Sequence, residues 1–397
     1  MTKTDDLINR GKAALINAYP PQNMVLDHGK GCYLYDTEGK EYLDFAAGIA
    51  VVSLGHANDT LSNAIRDQLD KMTMSVPSHL SEARIQAAEI LTKGRACDKV
   101  FFTNSGTEAM EGALKLVRAW AHENRGHDVK EFIAFRNSFH GRSYGANSIT
   151  EKSITYPQFG PYLPGCHFAT FNDLESVKKL VNEKTCAMII EPVQGEGGIT
   201  PADPAFLKGL RTLCDEQNII LIFDEIQCGM GRIGEFYAYD HFGVEPDIIT
   251  LAKGIGSGFP VGALLAREKF SKAFTPGVHG TTYGGNPLAC AVVRAVTSEI
   301  SKPEFLAHVR KTGESFVKGL KDIQRSSNKI EDVRGLGLMV GADLSVDIKE
   351  FMGKLKTNGM LSTQAGSKTL RLTPPLVAGT EEIEKALGLI EKTLKEF

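Results

Sequence analysis

The apolar residues of this chain fall into two patterns, which are short continuous runs and runs that repeat every three or four residues. The continuous runs lie at 99–104, 132–135, 187–190, 219–223 and 248–252. Runs of this length are typical of strands that are buried on both faces of a parallel sheet. Helical spacing follows several of them, for example in residues 204–216. The alternation predicts an α/β fold in which helices cover both faces of a mostly parallel sheet.

The two ends of the chain have a different pattern. Residues 7–18 have helical spacing, and we expect the prolines at 20 and 21 to end that helix. Residues 32–36 and 41–45 are two aromatic-rich strands around a turn, so they predict a hairpin.

Long helices and short strands alternate from residue 291 to the end, in a pattern typical of an α+β unit. The change of pattern divides the chain into an N-terminal segment at 1–57, a large domain at 58–290 and a smaller α+β unit at 291–397.

The composition narrows the class of protein. The net charge is −3, with 42% hydrophobic and 23% charged residues, so no basic field predicts binding to nucleic acid or to a membrane. The seven cysteines include no C-x-x-C pair, which argues against a disulfide framework or a zinc site. The start of the sequence does not resemble a secretion signal, and no stretch has the length of a membrane span. These features predict a cytoplasmic protein.

Two neighbouring apolar runs are each followed by a residue whose side chain could take part in catalysis. The run at 219–223 is followed by Asp224, and the run at 248–252 is followed by Lys253. Ligands of open α/β sheets bind at the carboxyl ends of the strands, and a lysine there is a candidate for Schiff-base chemistry. The alternatives are an ordinary lysine at a strand end, or a nucleotide loop formed by the glycines at 254–258, although these lack G-x-G-x-x-G spacing.

A further motif follows the run at 99–104. Ser105, Gly106 and Thr107 lie between this predicted strand and a predicted helix. A helix N-terminus offers free backbone N–H groups, which suit a phosphate group. The same residues are also compatible with a simple capped helix start.

Together these residues match what a pyridoxal phosphate site requires. The cofactor needs an amine, a carboxylate facing its ring nitrogen and donors for its phosphate. Phe139 can lie on the ring, and Arg142 can hold a substrate carboxylate. We expect Ile226 to point the same way as Asp224, because the two residues are two apart on an extended chain.

Six motifs in order make the chain similar to the class III pyridoxal-phosphate aminotransferases of fold type I. They lie at 102–109, 139–142, 191–198, 223–232, 250–254 and 279–287. The resemblance implies a large domain with a mostly parallel seven-stranded sheet, and a smaller α+β domain built from the two chain ends. It also implies pyridoxal 5′-phosphate as cofactor and a homodimer whose active site is shared across the interface.

The resemblance also implies roles for individual residues. Lys253 would hold the cofactor and move the proton, and Asp224 would pair with the ring nitrogen. The implied cofactor-binding residues are Ser105, Gly106, Thr107, Phe139, Asp224, Ile226, Gln227, Lys253 and, from the neighbouring subunit, Thr282. The implied substrate-binding residues are Arg142, Glu196, Thr281 and Arg371, with Glu196 pairing with Arg371 until glutamate arrives.

The implied reaction moves the δ-amino group of N-acetylornithine to 2-oxoglutarate, in arginine biosynthesis. Ornithine, succinylornithine and 4-aminobutyrate remain alternative donors, because their aminotransferases share the same chemical groups. Residues 20–25 and Thr281 would separate them through the shape of the pocket. A nucleotide-dependent oxidoreductase and a non-catalytic cofactor-binding protein are the alternatives from other classes.

Four polar residues near the motifs are interpreted as structural. We expect His140 to pack behind the site or to support it, and Glu225 to make a structural hydrogen bond. Arg232 and Arg334 are expected to form structural ion pairs.

Overall fold

The computed structural model describes residues 2–19 and 23–397. The helices are α1 (Lys3–Ala14), α2 (Ala47–Ala50), α3 (Asp59–Leu69), α4 (Glu82–Thr92), α5 (Gly106–Asn124), α6 (Tyr144–Ser148), α7 (Leu174–Lys178), α8 (Pro204–Gln217), α9 (Ala238–Phe242), α10 (Glu268–Ser271), α11 (Pro287–Ile300), α12 (Pro303–Ser326), α13 (Ile348–Thr357) and α14 (Thr380–Leu394). Short 3₁₀ turns lie at Glu151–Thr155, Pro157–Phe159 and Lys253–Ile255.

The strands are β1 (Leu26–Lys30), β2 (Tyr33–Asp36), β3 (Glu41–Asp44), β4 (Lys99–Thr103), β5 (Glu131–Phe135), β6 (Cys166–Ala169), β7 (Thr185–Ile190), β8 (Val193–Gln194), β9 (Thr200–Pro201), β10 (Ile220–Asp224), β11 (Ile248–Leu251), β12 (Gly262–Ala266), β13 (Ile330–Leu336), β14 (Met339–Leu344), β15 (Met360–Leu361), β16 (Thr363–Ala365) and β17 (Thr369–Leu372).

The central sheet contains seven of the described strands, in the order β4-β12-β11-β10-β7-β5-β6. Strand β12 runs antiparallel to both of its neighbours, and the other pairs are parallel. The predicted mostly parallel sheet is therefore confirmed. Strands β10 and β11 are adjacent and in register, with Asp224 opposite Thr250, which brings the carboxyl end of one strand beside that of the other.

The continuous apolar runs follow from burial on both faces of this sheet. In β10, Leu221 and Phe223 belong to one hydrophobic cluster, whereas Ile220 and Ile222 belong to another. Successive side chains of a strand point to opposite faces, so a sheet covered on both sides needs apolar residues at every position.

A second core joins the two ends of the chain, as the fold type implies. Leu43 and Phe45 pack in the same cluster as Phe316 and Leu372. Strand β15 also pairs in parallel with β3, where Met360 lies opposite Leu43. Strands β13, β14, β17 and β16 form a further antiparallel sheet beside α12 and α13.

The first helix differs from its predicted bounds of 7–18. Helix α1 begins earlier because the Thr2 side chain accepts a hydrogen bond from the Asp5 N–H, and the Asp5 carboxylate accepts one from Thr2 in return. It ends at Ala14, beyond which Leu15 and Ile16 are exposed and have no core to pack against. The expected stop at prolines 20 and 21 lies outside the described residues. Within the described chain, no helix is both long and apolar enough to cross a membrane.

Candidate active site

A cavity of about 390 Å³ opens at the carboxyl ends of β10 and β11. Nine of the predicted site residues line it, namely Ser105, Gly106, Thr107, Phe139, Arg142, Asp224, Ile226, Gln227 and Lys253. They come from loops after four different strands, which the sheet order brings to one edge. A cavity of this size is typical of a small-molecule site.

Lys253 lies in the short 3₁₀ turn that follows β11. Its φ is +47°, a left-handed conformation that is uncommon for a residue with a side chain and that occurs often at functional sites. Burial and, to a smaller extent, the positive charge of Arg371 lower the pKa of the Lys253 amine to about 8, against the opposing charges of Glu196 and Asp224. The amine is therefore much closer to being neutral than an exposed lysine.

Asp224 ends β10 with only 3% of its surface exposed. Its Oδ2 lies 2.7 Å from Nδ1 of His140, and its Oδ1 accepts a hydrogen bond from the Ile226 N–H at 3.1 Å. Burial lowers the pKa of His140, but its hydrogen bond to Asp224 and the charges of Asp224 and Glu191 outweigh that effect and raise the pKa. His140 therefore supports the carboxylate, as expected.

Ile226 reaches the cavity in a different way from the predicted one. The chain leaves the extended conformation after Asp224 and forms a turn, which the hydrogen bond between the Ile226 N–H and Oδ1 of Asp224 closes. A carboxylate often bonds to a backbone N–H two residues later, and this local bond competes with the strand. The expected extended geometry was wrong, although both side chains line the cavity.

The N-terminus of α5 faces the same cavity. The Ser105 hydroxyl caps the helix by accepting a hydrogen bond from the Glu108 N–H at 3.3 Å. Gly106 and Thr107 are the first two helical residues, and N–H groups at these positions have no acceptor inside the helix. A Cβ on Gly106 would lie 2.7 Å from Cδ1 of Ile226, so a larger residue there would force the end of that side chain to shift. The turn is both a capped helix start and a suitable anion site.

Phe139 and Arg142 lie on the loop after β5. The Arg142 guanidinium lies over the Phe139 ring, 5.0 Å from its centroid. The Phe139 N–H donates to the Glu191 carboxylate at 3.0 Å, which ties this loop to the end of β7. The loop thus presents an aromatic face and a cation to one cavity.

Glu196 and Arg371 form an ion pair beside the cavity rather than in its lining. Arg371 is 3% exposed, and its Nε donates to the Thr363 hydroxyl at 2.9 Å. Its Nη1 lies 3.4 Å from Oε1 of Gln227, which does line the cavity. The predicted pairing of these two residues is therefore present.

Thr281 and Thr282 lie outside the cavity of the single chain. The Thr281 hydroxyl accepts hydrogen bonds from the Gly284 N–H at 3.1 Å and from the Asn104 amide at 3.4 Å. Thr282 is exposed. The fold within one chain does not bring Thr282 to its own site.

Glu191 is a cavity residue that the sequence analysis did not single out. Its carboxylate accepts hydrogen bonds from the N–H groups of Phe139 and Gly195, at 3.0 and 3.1 Å. Burial raises the pKa of Glu191 to about 7. Its place directly after β7, which neighbours β10, is the sequence signal that could have identified it.

Glu225 and Arg334 both make structural contacts. Glu225 accepts hydrogen bonds from the N–H groups of Ala238 and Tyr239, at 2.6 and 2.9 Å, and so has the expected structural contacts. Arg334 forms ion pairs with Asp332 and Asp343, also as expected.

The expectation for Arg232 was wrong. This side chain is 2% exposed, and it donates to the carbonyl oxygens of Leu338 and Pro374 instead of to a carboxylate. Burial lowers its pKa to about 9. Backbone carbonyls take the place of the acid.

A family model for class-III aminotransferases matches residues 16–394. The chain belongs to this family. A class-III aminotransferase uses pyridoxal phosphate, which excludes a nucleotide-dependent oxidoreductase. In agreement, the glycines after Lys253 lead into strand β12 and not into the helix that a dinucleotide loop requires.

Several relatives of this class-III aminotransferase match over almost their whole length. An acetylornithine aminotransferase of Clostridium acetobutylicum is 44% identical over 97% of this chain and 100% of its own. An acetylornithine/succinyldiaminopimelate aminotransferase of Yersinia pestis is 41% identical over 98% of each chain. Among solved structures, the ornithine aminotransferase of Toxoplasma gondii has a TM-score of 0.95 at 31% identity, covering 100% of this chain and 96% of that one.

The residues around the cavity fit pyridoxal phosphate. The Lys253 amine and the Asp224 carboxylate lie at adjacent strand ends, and α5 directs its first N–H groups at the same space. Phe139 adds an aromatic surface. An amine, a carboxylate, an anion cradle and a stacking surface are the groups that this cofactor needs.

Proposed function

We propose that this enzyme transfers the δ-amino group of N-acetylornithine to 2-oxoglutarate, as a step of arginine biosynthesis. The observation that carries the proposal is the pairing of Arg371 with Glu196 beside a cavity that Arg142 also reaches. The donor has one carboxylate, and the acceptor has two. Glu196 neutralises Arg371, and Arg142 lines the cavity, so the same site can accept both molecules in turn.

In this proposal Arg142 binds the carboxylate that is distant from the reacting carbon. N-acetylornithine places that carboxylate against Arg142, and Glu196 keeps the charge of Arg371 satisfied. When 2-oxoglutarate binds, its second carboxylate competes with Glu196 for Arg371. A bidentate arginine–carboxylate contact gives both orientation and affinity.

Lys253 is proposed to move the proton. Bound pyridoxal phosphate supplies a ring that accepts the electrons released when the carbon–hydrogen bond breaks. The Nζ of Lys253 removes the proton from the δ-carbon of the donor, and later returns one to the α-carbon of the acceptor. Its lowered pKa of about 8 leaves part of the amine neutral near neutral pH, as a base requires.

The remaining side chains hold the cofactor in place. Asp224, kept in position by His140, would hold the ring nitrogen, and Phe139 and Ile226 would hold the ring between them. Gln227 would bind the ring hydroxyl. Ser105, Gly106 and Thr107 bind the phosphate together with Thr282 of the neighbouring subunit, and Thr281 borders the substrate.

We also propose that the enzyme is a cytoplasmic homodimer. The exposed position of Thr282 in the single chain supports this, because a phosphate contact from Thr282 requires the second subunit. We propose that the chain is divided into an N-terminal segment at 1–57, a large domain at 58–290 and a C-terminal unit at 291–397, which limited proteolysis can check.

A second candidate donor is N-succinyldiaminopimelate, which the name of the Yersinia pestis relative favours. Like N-acetylornithine, it is an N-acylated amino acid with a free amine. It carries more carboxylates, so it demands more cationic contacts than Arg142 alone provides.

The test is a screen of amino donors against 2-oxoglutarate that follows glutamate formation and the loss of the visible absorbance of the bound cofactor. We expect kcat/KM for N-acetylornithine to exceed the value for ornithine by at least about tenfold, because acylation removes the charge of the amine that does not react. Lys253→Ala should retain no measurable turnover. If no ω-amine donor bleaches the absorbance, the proposed substrate is wrong.

A further inference from the structure

Glu111 lies on α5, one turn beyond the residues that face the cavity, and its carboxylate binds Ser143 and the first turn of α6, which follow Arg142 directly. Its Oε1 accepts hydrogen bonds from the Ser143 hydroxyl at 2.5 Å, from the Gly145 N–H at 2.8 Å and from the Ala146 N–H at 3.1 Å. Three donors on one charged oxygen make a strong local anchor, because hydrogen bonds to ions exceed those between neutral groups.

Thr107 provides a second anchor from the same helix. Its hydroxyl oxygen accepts the N–H of Ser143 at 3.1 Å and the N–H of Arg142 at 3.3 Å. The backbone of Arg142 is thus fixed to α5 directly through Thr107 and, a few residues later, through Glu111.

The segment from Gly141 to Gly145, which leads into α6, approaches α5 so closely that glycine is needed at both positions. A Cβ on Gly141, whose φ is +138°, would lie 2.5 Å from Oγ1 of Thr107. A Cβ on Gly145 would lie 2.4 Å from Oε2 of Glu111. Both spacings are shorter than any ordinary contact, so the loop and helix form one closely packed unit.

We propose that Glu111 is a positioning residue that fixes the direction of Arg142, and thereby sets the affinity for substrate carboxylates. The inference rests on the proposed function, in which Arg142 binds that carboxylate. A long, exposed arginine gives accurate recognition only if its backbone is held, since small displacements of a binding group cost affinity. Helix α5 supplies that support and connects it to the anion cradle.

Glu111 is placed to affect substrate binding and not the chemical step. Glu111 does not line the cavity, and the hydrogen bonds of its Oε1 go to Ser143 and the first turn of α6. Within the part of the chain that the structure describes, Glu111 makes no hydrogen bond to Lys253 or Asp224. Loss of Glu111 should therefore raise KM for substrates that carry a carboxylate, while kcat changes little.

The experiment compares Glu111→Ala and Glu111→Gln with the wild-type holoenzyme. The alanine variant is expected to raise KM for N-acetylornithine and 2-oxoglutarate by about ten- to a hundredfold, with kcat within about threefold. The glutamine variant keeps an oxygen that can accept the same bonds, so it should recover most of the affinity. Glu123→Ala, at an exposed position of the same helix, is the matched control and should match the wild type.

Two further measurements distinguish positioning from general damage. Calorimetry with glutarate, a dicarboxylate that does not react, should show a weaker Kd for Glu111→Ala by a similar factor, whereas the affinity for pyridoxal phosphate stays unchanged. The kcat/KM for N-acetylputrescine, which lacks the carboxylate, should not fall in the variant. If Glu111→Ala is insoluble, Ser143→Ala removes the 2.5 Å bond to Glu111 and the 2.7 Å contact with the Thr107 hydroxyl. It keeps the Gly145 and Ala146 bonds to Glu111 and should give a smaller increase in KM.

Unchanged KM and glutarate affinity in the alanine variant would overturn the inference, and so would an equal loss for N-acetylputrescine. A wild-type enzyme that does not use N-acetylornithine would overturn the proposed function instead. The glutarate comparison would still test Glu111 in that case, because it depends on carboxylate binding alone.

Discussion

The Nδ1 of His140 lies 2.7 Å from Oδ2 of Asp224, and both side chains are buried. The carboxylate therefore faces the cavity with one oxygen on an imidazole and the other on the Ile226 N–H. Nε2 of His140 has no hydrogen-bond partner within residues 2–19 and 23–397, so the ring is held from its Asp224 side. The arrangement orients Asp224.

His140→Phe should lower kcat by about ten- to a hundredfold, because a hydrogen bond to a charged group is worth about 1.5–3 kcal/mol. Phenylalanine keeps the ring volume but removes the donor. Steady-state kinetics and the Kd of pyridoxal phosphate measure the effect. His167→Phe is the control. His167 lies on the edge strand β6, where it bonds to Glu131, so this variant should have wild-type kinetics. A wild-type kcat in His140→Phe would show that the hydrogen bond from His140 to Asp224 does not support catalysis.

The rate at which the apoenzyme captures pyridoxal phosphate should rise with pH up to about 8 and then level off. Only the neutral amine of Lys253 can react with an aldehyde, and burial lowers the pKa of that amine to about 8. Below the pKa each unit of pH should change the rate about tenfold. The growth of visible absorbance after mixing gives the rate.

Arg371→Gln serves as the partner experiment, because Arg371 lowers the pKa of Lys253 and Glu196 raises it. Removing the arginine should move the midpoint of the profile to higher pH. A midpoint that stays in place would show that burial alone sets the pKa of Lys253.

Gly106→Ala should weaken cofactor binding by about five- to a hundredfold. Its Cβ would lie 2.7 Å from Cδ1 of Ile226, and overpacking of this kind costs about 1–3 kcal/mol. The next atoms of Ile226 are 3.3 Å away, so Ile226→Val removes the conflict. The double variant should recover part of the affinity, and Ile226→Val alone should resemble the wild type. Equal Kd values for Gly106→Ala and the double variant would contradict this account.

The free energy of unfolding should decrease as the pH rises from about 4.5 to about 8, and Glu225 should contribute to this decrease. Burial raises the pKa of Glu225 from 4.5 to about 8. The folded state therefore holds a proton that the unfolded state releases, so this stability is full below pH 4.5 and is lost as pH rises through 8. One group contributes a slope of at most about 1.4 kcal/mol per pH unit.

Glu225→Gln removes this titration and should flatten the profile, as measured by urea unfolding at a series of pH values. The exposed Glu123→Gln is the control and should keep the wild-type slope. The same slope in Glu225→Gln would assign the pH dependence to other groups, among them Glu191, whose pKa is also raised by burial.

Most elements were predictable because their patterns are local. The capped start of α5 at Ser105 and the strand that ends at Asp224 follow from short stretches of sequence. The turn that carries Ile226 was missed because a side chain bonds to the backbone there, and that competes with the extended pattern. The role of Arg232 was missed because its acceptors lie 106 and 142 residues away along the chain.

The sequence by itself determined the order of strands and helices and the chemical groups at their ends, since apolar spacing and motif composition are properties of neighbouring residues. Tertiary structure alone decided which groups meet. His140 and Asp224 are 84 residues apart, and Glu196 and Arg371 are 175 apart, yet each pair is in contact. Strand order and packing create these contacts, and they depend on the whole chain folding around one sheet.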